Sequence, residues 1–283
     1  MKANISLRIL IILILGIINC EINAQIPGFR KIRWEKERIA PGLVWKSSHT
    51  VLYDTLSQNI NILVVNMRKR ETALSYNHSR NQKLSIQAEN SGALAAVNGG
   101  FFNIKEGGSV TYIRTAGKIT ESDTAKRWSR NSNMTGSFLV GKDGIVVIDS
   151  ARTNSWYDSH QEYPEVLVTG PLLVKNGIKG HLPLTSLVTV RHPRTAVGIK
   201  GKHKVIFLTL DGRTPEARGL SLYELTDLMI SRGCDDAVNL DGGGSTTMWI
   251  QGKPYNGVVN MPCDNKKFDH EGERAVSDII LIR

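Results

Sequence analysis

The pattern that most restricts this chain is a succession of short apolar runs, most of them closed by glycine, asparagine, aspartate or a charged residue. Runs of that length between turns read as strands, and they exclude a helical bundle or a coiled coil. Ile60 to Met67, Ala93 to Val97, Val110 to Ile113, Ser137 to Val140 and Ile145 to Ile148 read this way. Val166 to Val168, Thr195 to Ile199, Val205 to Leu210, Ala237 to Leu240, Thr246 to Ile250 and Ala275 to Ile282 continue the series. Only two segments are predicted helical. Ser85 to Asn90 is short and ends at Gly92. Leu220 to Arg232 is stronger: Ser221 and Glu224 form a capping box, Leu222, Leu225, Leu228 and Met229 share a face, and Gly233 ends it. The expected fold is α+β, a single domain with a mixed, mostly antiparallel sheet and few helices.

The N-terminus is read apart from that body. Lys2 and Arg8 precede an apolar run from Ile9 to Ile18, too short for a comfortable membrane span and of the size of a signal-peptide core. Ile22-Asn23-Ala24 supplies a small residue at the cut, leaving Gln25 first; a lipidated Cys20 is the competing exit, with Asn19 a poor neighbour for it. The expectation is an exported protein, periplasmic or at the cell surface, with no transmembrane span in the mature chain. Residues 1–24 are then signal, 25–59 an N-terminal extension with the first elements, and 60–283 the main domain. The basic stretch Phe29 to Arg38 is expected to be frayed.

Charge narrows the partners. Lys and Arg total 36 against 26 Asp and Glu, a net +10, but the excess is spread along the chain and aromatics are only 6%. That pattern disfavours nucleic acid and suits an anionic substrate, an envelope partner or merely a solvated basic surface. Of three cysteines, Cys20 leaves with the signal or carries lipid, so Cys234 and Cys263 remain on either side of the most glycine-rich stretch. In an oxidising compartment they would be bridged or stay as two buried thiols.

Four glycine-rich or arginine-rich motifs lie at the ends of strands, where sites commonly form. Asn98-Gly99-Gly100-Phe101-Phe102-Asn103 follows a run of small apolar residues, and its glycines allow close backbone approach to a ligand or a tight turn. Arg191-His192-Pro193-Arg194-Thr195 puts arginines ahead of a strand, suited to bidentate capture of phosphate or carboxylate. His192 sits within reach of the same place, or serves a rigid turn with Pro193. Asp211-Gly212-Arg213 ends one strand, and Asp241-Gly242-Gly243-Gly244-Ser245-Thr246-Thr247 follows another, with the capped helix between. This strand–helix–strand unit sets both carboxylates at corresponding strand ends, where they can do acid–base work, bind a divalent cation or hold backbone amides. The triglycine lacks the spacing of a dinucleotide fingerprint and the lysine of a P-loop. No other histidines show ligand spacing.

Together these motifs resemble those of the phosphodiester glycosidase family, as does Glu273-Arg274-Ala275-Val276 running into the last strand. The resemblance covers Leu63 to Ile282. One departure is Ser277-Asp278, where Asn-Ala-like residues are expected, a difference that touches packing more than chemistry. The resemblance implies cleavage between an anomeric carbon and phosphate in a sugar-1-phosphodiester, releasing free sugar and a phosphomonoester. It implies Arg194 and Arg274 for the phosphate, Asp211 and Asp241 for the sugar or the attacking water, and Glu273 as a further carboxylate. Asn98, Gly99, Gly100, Thr195, Gly242, Gly243, Gly244, Ser245 and Thr246 would line the substrate. The resemblance fixes no cofactor, and a divalent cation is left open. A non-catalytic glycan- or phosphoglycan-binding protein and a phosphodiesterase cutting the other ester bond are the competing readings.

Overall fold

The computed structural model describes Phe29 and residues 32–77, 81–121 and 133–283. The expected signal segment and Cys20 lie outside the described residues. The largest sheet has eight strands, beginning with β1 (Glu35–Ala40), β2 (Leu43–Leu52) and β3 (Leu56–Asn66). It continues through β15 (Lys204–Leu210), β14 (Arg194–Lys200), β16 (Asp236–Asn239), β12 (Leu172–Lys175) and β13 (Ile178–Lys179). A five-stranded sheet has the order β10 (Val146–Ser150), β9 (Gly136–Val140), β11 (Glu165–Thr169), β7 (Ile113–Thr115), β8 (Lys118–Glu121). A four-stranded sheet holds β17 (Met248–Ile250), β6 (Ala95–Asn98), β19 (Asp278–Ile282) and β4 (Thr72–Tyr76), and β18 (Ala275–Val276) pairs with β5 (Gln82–Lys83). Every neighbouring pair of strands within these sheets is antiparallel.

Period-two alternation makes the large sheet apolar on both faces. Along β15, Val205 and Phe207 point one way and join Val197, Val238, Phe138, Leu167, Val97 and Ile280 in a core shared with the two smaller sheets. Ile206 and Leu208 point the other way, against Leu222, Leu225 and Met229 of a helix. Among the described residues, four α-helices cover the outer faces: α1 (Leu84–Asn90), α2 (Asn154–Ser159), α3 (Ser186–Thr189) and α4 (Leu222–Ser231). Helix α1 lies on the four-stranded sheet through Leu84 and Ala88, α2 on the five-stranded sheet through Tyr157, and α4 on the large one. The capping box of α4 forms as its sequence predicts, with Ser221 accepting from the Glu224 N–H and Glu224 reaching back to the Ser221 N–H. The α+β, mostly antiparallel character is that read from the sequence.

Several expectations are corrected. Glu35 to Arg38 is not frayed: it is part of β1, paired in register with β2. Strand β3 runs through residues 59 and 60, where the extension was expected to meet the main domain. The run Val110 to Ile113 becomes a strand only from Ile113, and the last run splits at Ser277 into β18 and β19. Cys234 and Cys263 are free and both buried. Cys234 packs at the foot of α4 with Met229, before β16 begins, whereas Cys263 lies beyond the other end of that strand near Arg213 and Asp211, so no bridge joins them.

Candidate active site

Strand β14 is antiparallel to both β15 and β16, so these two run parallel with α4 as their crossover. Their C-terminal ends therefore share one edge of the large sheet, with Arg194 directly opposite Leu210. Asp211 follows β15 there, and Asp241 lies just past β16. On the four-stranded sheet, β6 ends at Asn98 opposite Ile279, which brings Asp278 to the same place.

Asn98 joins the two sheets. Its Nδ2 donates to the Asp241 carbonyl at 2.7 Å, and its Oδ1 accepts from Thr195 Oγ1 at 2.7 Å and Thr247 N at 3.1 Å. Both Asn98 and Thr195 are fully buried. They form the floor that fixes the loops rather than a surface that a ligand touches.

The backbone amides of the glycine loops are likewise engaged inside the protein. Gly99 N donates to the Asp278 carbonyl and Gly100 N to Asp278 Oδ1 at 2.6 Å. Gly242 N donates to Asp241 Oδ1 at 2.9 Å, and Gly243 N to the Pro193 carbonyl. Gly99 has to be glycine because a side-chain carbon there would collide with the Asp278 carboxylate. What faces outward is a set of side chains around the turn Gly243–Ser245.

The three carboxylates have different surroundings. Asp211 is 1% exposed and accepts from Asn59 Nδ2 at 2.7 Å, Asn260 Nδ2 at 2.8 Å and Met261 N at 3.0 Å. Burial pushes its pKa up to about 6 against those three donors. Asp278 is also 1% exposed, held by Gly100 N and by Ser277 Oγ at 2.7 Å, with a pKa raised by burial. Asp241 is the part-exposed one. Its pKa also rises to about 6: desolvation and the Asp278 charge raise it, while Ser245, the Gly242 N–H and Arg274 pull it down. Ser245, Thr246 and Thr247 present three consecutive buried hydroxyl oxygens without a hydrogen-bond partner.

Two arginines lie over the glycine turn. A carbon on Gly243 would come within 3.0 Å of Arg213 Nη2, and one on Gly244 within 2.6 Å of Arg274 Cζ. Arg274 is paired with Asp264 and also acts on Asp241. Arg213 is exposed, has a left-handed backbone (φ 68°) unusual for a non-glycine, and donates Nε to His192 Nδ1 at 3.4 Å. Burial, then Arg194 and Arg213, lower the His192 pKa, which suits the neutral ring as acceptor.

Two expected site residues stand elsewhere. Arg194 is 1% exposed and donates Nε to the Leu220 carbonyl at 2.8 Å and Nη2 to the Leu187 and Val190 carbonyls at 2.8 and 2.7 Å. Its fork tethers α3 and the start of α4 to β14. Glu273 accepts from Ser85 N and Ser85 Oγ, both at 2.7 Å, and so caps α1. Conversely, Arg213, over the turn, and Asp278, whose charge acts on Asp241, were not singled out by the sequence. Arg213 was visible as the third residue of its Asp-Gly-Arg motif, and Asp278 as the unexpected acid at the start of the last strand. Among the described residues, no group of three or more His, Cys, Asp and Glu side chains is placed to hold a metal ion.

The segment that carries β6, the Asp-Gly-Arg turn, the triglycine turn and β19 is also the part that matches known proteins. A phosphodiester glycosidase profile fits residues 91–283, more than half of the chain. The chain belongs to the phosphodiester glycosidase family. It is 27% identical over 192 residues to N-acetylglucosamine-1-phosphodiester alpha-N-acetylglucosaminidase of Bos taurus, covering 63% of this chain and 34% of that protein. It is 27% identical over 209 residues to the uncharacterized SPbeta prophage-derived protein YomE of Bacillus subtilis, covering 61% and 31% respectively. The chain thus spans about a third of the length of these curated relatives. In fold it is similar to the catalytic domain of the zebrafish N-acetylglucosamine-1-phosphodiester alpha-N-acetylglucosaminidase, auto-inhibited by its pro-peptide, with a TM-score of 0.69 at 22% identity over 89% of this chain and 87% of that one. A hypothetical protein from Synechocystis shares the fold at a TM-score of 0.65 and 12% identity, over 89% and 64%. The profile of the phosphodiester glycosidase family begins beyond β1–β4, so Asn59, which holds Asp211, stands outside the matched segment.

Proposed function

We propose that this protein is an exported glycosidase that hydrolyses the anomeric carbon–oxygen bond of a sugar-1-phosphodiester. The carbon–oxygen bond breaks with its electron pair leaving on the phosphate, water supplies the hydroxyl to the anomeric carbon, and the products are free sugar and a phosphomonoester. A phosphate oxygen is already a good leaving group, so the site has to stabilise charge more than donate a proton. Arg213 and Arg274 over the glycine turn supply positive charge for the departing phosphate, and a guanidinium fork matches its oxygens. Asp241, ionised, faces the positive charge that develops on the sugar or takes the proton of the attacking water. The hydroxyls of Ser245 to Thr247 are as buried as Asn98 and Thr195, and so they shape the loop beneath the site.

The observation that carries this reading is part-exposed Asp241 with Arg274 acting on it, on a glycine turn that Arg213 also covers and that the family profile spans. The test is product analysis with a sugar-1-phosphodiester. Free sugar and phosphomonoester are expected, and Asp241→Asn should lower turnover by about a thousandfold or more, the scale of removing an essential acid–base group. Sugar-1-phosphate as product would assign the other ester bond. Saturable binding without turnover would make the chain a binding protein.

A further inference from the structure

Arg274 meets a carboxylate of its own at the glycine turn. A side-chain carbon on Gly244 would come to 2.6 Å from both Arg274 Cζ and Asp264 Oδ1, so the two groups lie together against one glycine. Arg274 donates Nε to Asp264 Oδ1 at 3.1 Å and Nη2 to the same oxygen. Among the described residues, Arg274 Nη1 and Asp264 Oδ2 make no hydrogen bond. The two side chains are 24% and 41% exposed, so an anion can approach the pair from solvent.

The loop that carries them holds the pair in place. Cys263 and Gly272 form a parallel bridge, and Asp264 N donates to the Gly272 carbonyl at 3.2 Å. Asp264 and Arg274 therefore stand on the two legs of one loop, at its neck. Beyond the neck, Asp269 Oδ1 accepts from Asn265 Nδ2 at 2.7 Å and from Glu271 N at 3.0 Å, and Lys266 N donates to the Cys263 carbonyl at 3.0 Å. This bracing makes Asp264 a fixed neighbour of Arg274.

Charge around the turn then balances. Among the described residues Arg213 forms no ion pair, and Arg274 forms one, with Asp264. Asp241 acts on Arg274 as well, so two cations face two carboxylates. A phosphodiester carries one negative charge at any working pH, whereas a phosphomonoester carries close to two above its second pKa of about 6. Guanidinium N–H groups can hold either by hydrogen bonds, but Asp264 repels the second ligand charge as strongly as the first. We infer that Asp264 sets the charge selectivity of this site: it favours the singly charged phosphodiester over the doubly charged phosphomonoester and so hastens release of the product. The inference rests on the proposal above that the turn takes the phosphate of a phosphodiester.

The test is calorimetric titration of the full chain at pH 8 and fixed ionic strength with dimethyl phosphate, which carries one charge, and methyl phosphate, which carries two. Neither has a sugar, so binding is read without turnover. A like charge removed at about 4 Å in a solvent-facing site is worth about fivefold to a monoanion and the square of that to a dianion. Asp264→Asn should therefore tighten dimethyl phosphate about fivefold and methyl phosphate about 25-fold. Asp264→Glu keeps the charge and should keep the wild-type ratio between the two anions. Arg274→Gln should weaken both by about tenfold or more. Asp264 is exposed and its backbone bond to Gly272 survives substitution, so both of its variants should fold. If Asp264 merely orients Arg274, Asp264→Asn weakens the two anions equally, and that result overturns the inference. An unchanged ratio between them overturns it too, as does binding undiminished by Arg274→Gln. Turnover supplies a separate arm: inhibition by the phosphomonoester product, relative to KM, should strengthen about fivefold in Asp264→Asn. Absence of turnover together with the expected binding ratios counts against the glycosidase reading and leaves the charge selection by Asp264 standing.

Discussion

Arg194 and Arg274 differ in what their guanidinium groups have left to offer. Arg194 donates to three main-chain carbonyls and is so enclosed that burial lowers its pKa to about 10. Arg274 leans over Gly244 and, among the described residues, donates hydrogen bonds to Asp264 alone. Lysine at position 194 would leave carbonyls of α3 and of Leu220 without donors, a loss of about 1–3 kcal/mol. Arg194→Lys should therefore lower the melting temperature and leave the KM of the folded fraction unchanged. Arg274→Lys should do the reverse, keeping the melting temperature and losing about 30- to 150-fold in kcat/KM, the effect of about 2–3 kcal/mol in a charge-assisted bond. Thermal melts and steady-state kinetics on both variants separate the roles. The sequence placed arginines at strand mouths correctly, but whether an N–H is still free depends on which carbonyls arrive from other elements. Asp278 was hidden for the same reason: its significance lies in Gly100 and Asp241, which are remote in sequence and adjacent in space.

The elements show where local information suffices. The cap of α4 is written within four residues, Ser221 to Glu224, and the alternation of β14 and β15 is a property of each strand alone. Strand β1 escaped notice because its Glu-Lys-Glu-Arg start has no apolar alternation. As the outermost strand it tolerates charge on both sides, which also discourages edge-to-edge pairing. Helix α1 is the opposite case from α4. Its first turn is satisfied by Glu273, 188 residues away from Ser85, so no reading of residues 83–90 could have found the cap. Glu273→Ala should cost about 0.5–2 kcal/mol of stability, the value of a lost helix cap, while turnover stays near the wild-type rate. A large fall in kcat at unchanged stability would return Glu273 to the chemistry.

For the molecule as a whole, the clustering of Asp211, Asp241 and Asp278 sets stability against activity. Each has a pKa raised in the folded state by burial, to about 6 for Asp211 and Asp241, against 3.8 for an ordinary aspartate. Between those values the folded chain binds more protons than the unfolded one, so stability falls as pH rises through this window. For Asp211, fully enclosed, the contribution is on the order of 3 kcal/mol at about 1.4 kcal/mol per pKa unit. Below the window the sign reverses, because Asp149 and Glu224, whose pKa values are lowered by hydrogen bonds and arginine partners, lose those partners on protonation. The melting temperature should therefore rise from pH 7 to about pH 5 and fall again below about pH 4. Asp211→Asn should flatten the upper limb, though it sets an amide against three donors and lowers the whole curve. Activity runs the other way. With Asp241 as the proposed carboxylate, kcat/KM should climb through pH 6 as stability declines. A pH–rate profile that falls across that interval would make Asp241 a proton donor instead, and a melting temperature that is flat from pH 7 to 5 would mean that the enclosed aspartates are ionised throughout.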